Sequence, residues 1–136
     1  MARKACLPSL QIHVWSGAAL EILETGKENR QRILLDRASS HRVEQDRILS
    51  EELQAQGGRW PNRPPSMIRR ELEEYRRSDG IVVPSLFVEQ TFLRQGVPRE
   101  KIHLAGLGVN LQAFRPHPLS RGTVRAIYAG SLSLRQ

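Results

Sequence analysis

Disulfide chemistry within the chain is excluded at once, because Cys6 is the lone cysteine in 136 residues. A cysteine-built zinc site is excluded with it, and a reducing, cytoplasmic setting is the matching expectation. Long apolar runs are missing too. The opening M-A-R-K-A-C-L-P-S-L is basic but holds no apolar stretch long enough for a signal peptide, and no segment approaches a membrane span. Lysine is scarce: 18 of the 21 basic residues are arginine, and the net charge is +7. These arginines are scattered among glutamates along helical stretches instead of forming one block, so no nucleic-acid partner is expected. Contact of the Arg-rich helices with an acidic membrane surface stays open. No P-loop, histidine cluster, nucleophile elbow or dinucleotide glycine fingerprint occurs, and no metal site is expected. A hydrophobic content of 39% allows a core but is low for a self-sufficient α/β domain.

What is present centres on R-E-L-E-E-Y-R-R-S-D-G-I-V-V-P-S-L-F-V-E-Q-T-F-L-R-Q-G-V-P, from Arg70 to Pro98. Ile68, Leu72 and Tyr75 fall at i, i+4 and i+7 and predict a helix with one apolar stripe, ending near Ser78. Asp79-Gly80 breaks it, and Ile81-Val82-Val83 reads as a short buried strand of a parallel sheet. Pro84 stops the strand, Ser85 caps a helix from Leu86 to Gln95, and Gly96-Val97-Pro98 ends that helix.

On either side the same alternation repeats. Leu10 to Trp15 predicts a strand and Ala18 to about Glu24 a helix closed at Gly26. Arg32 to Asp36 predicts a second strand, followed by the polar corner Arg37-Ala38-Ser39-Ser40-His41 and a helical stretch to about Gln56. A Gly- and Pro-rich loop separates this from the central unit. Lys101 to Leu104 predicts a fourth strand, Phe114 to Gly122 an extended linker, and Val124 to Ala129 a fifth strand turning at Gly130-Ser131. The expected fold is α/β, an incomplete parallel Rossmann-like sheet with helices on both faces and one strand of a second domain. The expected division is residues 1–113, a linker over 114–123, and 124–136.

Parallel strands would bring the small and polar strand ends to one rim, the expected binding edge. These ends are Ser16-Gly17, Asp36 with Ser39-Ser40-His41, Pro84-Ser85, Gly106 with Gly108, and Gly130-Ser131. Asp36 and His41 form the titratable pair on it suited to acid-base work. Trp15 reads as a wall or core aromatic, and Glu71 and Glu74 as ion-pair partners of Arg69, Arg70 and Arg77. His13 and His103 sit inside strands and read as structural, and His117 as solvated.

The central stretch, then G-V-P-R-E-K-I, G-V-N-L-Q-A-F-R-P and A-I-Y-A-G-S-L-S, resembles the retaining nucleotide-sugar glycosyltransferases of the two-domain Rossmann-like (GT-B) type, family 4. The corners around Trp15-Ser16-Gly17 and Asp36 to His41 are similar to that family's acceptor-domain corners, and the order and spacing hold from about residue 10 to 134. Asn110 stands where the family usually has Asp, and Ala105-Gly106-Leu107 replaces its usual approach to that turn. The family's first strand and Gly-rich loop are not found before Leu10, nor is most of a donor domain found after Gly130. The resemblance therefore implies a fragment: the later part of an acceptor-binding domain, the crossover, and the start of the donor domain. It implies an acceptor-side cleft at Trp15, Ser16, Gly17, Asp36, Ser40, His41 and Ser85, and a donor-phosphate turn at Gly130 and Ser131. A nucleotide sugar would be substrate, with no cofactor, and the isolated chain is expected to be inactive with no catalytic residue assigned. The alternative is a non-enzymatic α/β interaction module that needs a partner to complete its sheet.

Overall fold

A computed structural model describes residues 11–59, 64–115 and 126–130. The chain divides after Gly106 into two units. The first unit holds strand β1 (Gln11–Trp15), helix α1 (Leu20–Glu28), strand β2 (Arg32–Asp36), helices α2 (Arg42–Ala55) and α3 (Pro65–Arg77), strand β3 (Gly80–Val83), helix α4 (Leu86–Arg94) and strand β4 (Ile102–Leu104). The sheet is entirely parallel, in the order β1-β2-β3-β4. The fold is α/β, with a Rossmann-like partial sheet flanked by helices.

Alternation along the strands decides what each face carries. Val14 stands beside Leu35, Leu35 beside Ile81, and Ile81 beside Ile102. This row, with Ile33 and Val83, packs against Leu23 of α1, Tyr75 of α3 and Val88 and Phe92 of α4 in one continuous core. Helices α1, α3 and α4 pack on the face that carries this row. The opposite face carries His13, Trp15, Leu34, Asp36, Val82 and His103, with Trp15 68% exposed and Leu34 only 6%.

Local chemistry sets the element ends. The Ser85 Oγ accepts from the Val88 amide at 3.3 Å and caps α4. At the other end of α4 the Val97 and Gly96 amides donate to the carbonyls of Phe92 and Leu93, with Gly96 at φ +78°, the left-handed stop that glycine favours. Gly26 does not close α1, which runs on to Glu28. Gly26 faces Ile33 instead, and a Cβ there would lie 2.1 Å from the Ile33 Cδ1, so its place is a helix-to-strand contact. The left-handed residue behind α1 is Arg30, at φ +54°.

In the second unit Asn110 organises a turn. Its Oδ1 accepts from the Gln112 amide at 2.9 Å and its carbonyl from the Phe114 amide at 3.0 Å. The fifth strand is not formed where it can be seen: residues 126–129 are irregular, and Ile127 is 89% exposed. A strand exists by its ladder, and no described segment supplies one to these residues. The rest of that expected strand, and Ser131, lie outside the described residues. Among the described residues no helix is long and apolar enough to cross a membrane.

Candidate functional site

The carboxyl ends of β1, β2 and β3 do converge. The Ser16 amide donates to the Asp36 carbonyl at 3.1 Å and the Arg37 amide to the Val82 carbonyl at 2.9 Å, so the corners after β1 and β2 are tied side by side. Arg37 is the hub of this rim. Its guanidinium donates to the Ser40 carbonyl at 3.0 Å, to Glu71 Oε2 at 2.9 Å and to Ser16 Oγ at 3.4 Å, and its side chain is almost wholly buried. Glu71 also receives the Tyr75 hydroxyl at 3.3 Å and stands 3.7 Å from the Arg42 guanidinium. A charge desolvated to this degree needs such compensation from several directions. Burial pushes the Tyr75 hydroxyl up to about 12.

Glu74 does something else. Fully buried, it accepts from the Gly17 amide through Oε2 at 2.6 Å and from the Ala19 amide through Oε1 at 2.9 Å. These amides belong to the corner that opens α1, whose cap residue Ala19 offers no side-chain acceptor. A carboxylate from α3 thus caps α1 in trans, where the helix N-terminus favours negative charge. Gly17, at φ +99°, takes the left-handed conformation the turn requires. The expected pairing of Glu71 and Glu74 with arginines of their own helix holds only for Arg70, which stays 3.7 Å from Glu74.

Asp36 and His41 do not form the expected pair. Asp36 projects to the opposite face and meets His13 Nδ1 at 3.1 Å, while Gln11 Nε2 lies 3.0 Å from His13 Nε2. His41 turns into the helical layer. Its ring lies 5.0 Å from those of Tyr75 and Phe92, its backbone amide donates to Thr91 Oγ1 at 2.9 Å, and its Nδ1 has no hydrogen-bond partner. Burial, aided by the Arg37 charge, holds the imidazole down to about 4. His41 is therefore neutral at physiological pH, and the two groups point to opposite sides of the sheet.

The remaining expected site residues separate. Trp15 is neither core nor rim wall but an exposed aromatic on the opposite face. Ser40 offers its carbonyl to Arg37, and the Ser85 hydroxyl is engaged at the α4 cap. Gly130 is exposed in the second unit. Sequence reasoning gave Arg37 no role of its own and Glu74 only a local ion pair. Arg37 carried one signal, its place directly behind a strand end, where a long cation can reach several corners.

No family model, curated protein or solved structure matches this chain. Assignment of function therefore rests on the residues themselves.

Proposed function

We propose that the chain is the acceptor-side part of a retaining nucleotide-sugar glycosyltransferase of the two-domain Rossmann-like type, family 4, with residues near Gly130 and Ser131 approaching the donor phosphates. The observation that carries this reading is the Arg37-centred rim, at which the corners after β1 and β2 bring Ser16, Gly17 and Ser40 together in a Rossmann-like sheet. The motifs at Arg70–Leu93 and Asn110–Pro116 add the family resemblance. Asn110, which stands where the family usually has Asp, accepts from the Gln112 amide through its side-chain oxygen. Hydroxyls and backbone groups at such a rim suit a polyhydroxylated acceptor, and the nucleotide sugar would enter as substrate from the donor side. The setting is cytoplasmic, with a sugar acceptor as partner. On this reading these 136 residues are not expected to transfer sugar by themselves.

Titration of the full chain with UDP-glucose, GDP-mannose and a panel of alkyl glycosides, followed by NMR, tests this. Saturable shifts at Ser16, Ser40 and Ser85 with a glycoside are expected, without sugar transfer. Transfer or donor hydrolysis by the chain alone, lost on His41→Ala, would sink the inactive-fragment reading. Silence of the rim toward the whole panel would sink the acceptor assignment.

One observation favours a second reading, the non-enzymatic interaction module that needs a partner to complete its sheet. Trp15 stands exposed on the sheet face opposite the core row, at the end of β1, which is an edge strand among the described residues. Stable monomeric folding at high dilution would count against it.

A further inference from the structure

A cavity of about 460 Å³ opens in the helical layer between the start of α2, helix α3 and the corner joining α4 to β4. Its size lies in the range of small-molecule sites. The walls are chiefly apolar and aromatic: Val43, Leu72 and Tyr75 on one side and Val97 and Pro98 on the other. His41 contributes a buried ring whose Nδ1 makes no hydrogen bond. Gly96, in its left-handed turn, leaves the approach open, with no side chain of its own and no atom within 4 Å of where a Cβ would sit.

The charge on this lining has one sign. Lys101 and Arg76 both line it, and no carboxylate does. The Arg76 guanidinium is bound to Glu73. The Lys101 ammonium donates to the Arg76 carbonyl at 2.9 Å, and among the described residues no carboxylate lies within ion-pair distance of it. Asp79, the nearby acid, accepts from the Ile33 amide through Oδ2 at 2.7 Å and acts on Lys101 as an opposing charge without pairing with it. Burial lowers the Lys101 pKa from its ordinary value, the response of a cation whose desolvation is not fully offset.

An apolar cavity lined at one point by an ammonium that no carboxylate contacts directly selects for a particular shape of molecule. We propose that this cavity binds a small monocarboxylate with an apolar body, the body lying between Tyr75, Leu72 and Val97 and the carboxylate meeting Lys101. The cavity borders the Arg37-centred rim through Tyr75, whose hydroxyl meets Glu71, but its test does not depend on the function proposed there.

Phenylpropionate and its neutral counterpart phenylpropionamide are the probes, titrated into the full chain with methyl and amide NMR detection. Saturable shifts at Val43, Leu72 and Val97 are expected with the acid, and binding about fivefold weaker with the amide, as one partly exposed ion pair is worth. Lys101→Gln should remove the preference for the acid while leaving amide binding as it was. Val43→Trp, at a 40% exposed position on the wall, should block both probes without touching the core. Amide dispersion of each variant reports that the fold is kept. The proposal is overturned if wild-type chain gives no saturable shifts at millimolar acid, if the amide binds as tightly as the acid, or if Lys101→Gln keeps the preference.

Discussion

Glu74 Oε2 lies 2.6 Å from the Gly17 amide nitrogen, joining helix α3 to the corner that opens α1 across 57 positions of sequence. The same carboxylate reaches the amide of Ala19, the cap residue of α1, so one side chain satisfies a donor at the helix end and another in the turn before it. Glu74→Ala removes the acceptor of the buried Ala19 amide and that of the more exposed Gly17 amide, and should cost about 2 kcal/mol. Glu74→Gln keeps the shape and one good acceptor and should cost about half as much. Urea denaturation of the two variants checks this. A loss below about 0.5 kcal/mol for Glu74→Ala would show that the α1 corner does not depend on it.

His41 makes stability depend on acid. Its folded pKa of about 4 lies below the ordinary 6.5, so between those values the unfolded chain binds the proton that the folded chain refuses. Stability contributed by the neutral ring is complete above pH 6.5 and is lost as pH falls toward 4. The loss is at most about 3 kcal/mol. His41→Phe keeps an aromatic ring between Tyr75 and Phe92 and removes the titration. Denaturation midpoints measured across that window should fall less steeply for the variant, and parallel slopes would contradict the assignment.

Gly26 and Arg30 invert the usual roles of their residue types near a helix end. Gly26→Ala would ordinarily help a helix, but here the new methyl meets Ile33 and should destabilise by about 1 to 3 kcal/mol. Arg30→Gly relieves a left-handed non-glycine residue and should stabilise by about 0.5 to 1 kcal/mol. Opposite shifts in thermal midpoint are the expected signature.

Ser85 separates capping from recognition. Ser85→Ala should cost about 1 kcal/mol through loss of the α4 cap, and Ser85→Asp should restore it. Equal stability of wild type and Ser85→Ala would mean that the hydroxyl is free for other use.

Much of this could be read from residue types close together in the chain. Ile33 to Leu35 and Ile81 to Val83 are strands because compact β-branched and leucine runs between breakers have little else to become. Ser85 and Gly96 mark the ends of α4 by capping chemistry that acts within a few residues. The site was less legible, since its decisive contacts span the chain. Glu74 has Arg70 within one helical turn, which made local ion pairing the natural expectation, yet its strongest partners come from the corner before α1. His41 sits in a polar Ser-Ser-His corner, and only the rings of Tyr75 and Phe92, from two other helices, turn it inward.

The order β1-β2-β3-β4 also bears on how the sheet is made. Each strand pairs with the one before it, so every ladder can close as soon as its second strand has left the ribosome, with no need to hold a gap for a later segment. The longest interval is between Asp36 and Gly80, where α2 and α3 intervene before β3 arrives. During synthesis the β1-α1-β2 unit therefore waits with the inner edge of β2 unpaired and without the carboxylate of Glu74, and that interval is when the nascent chain is most open to mispairing.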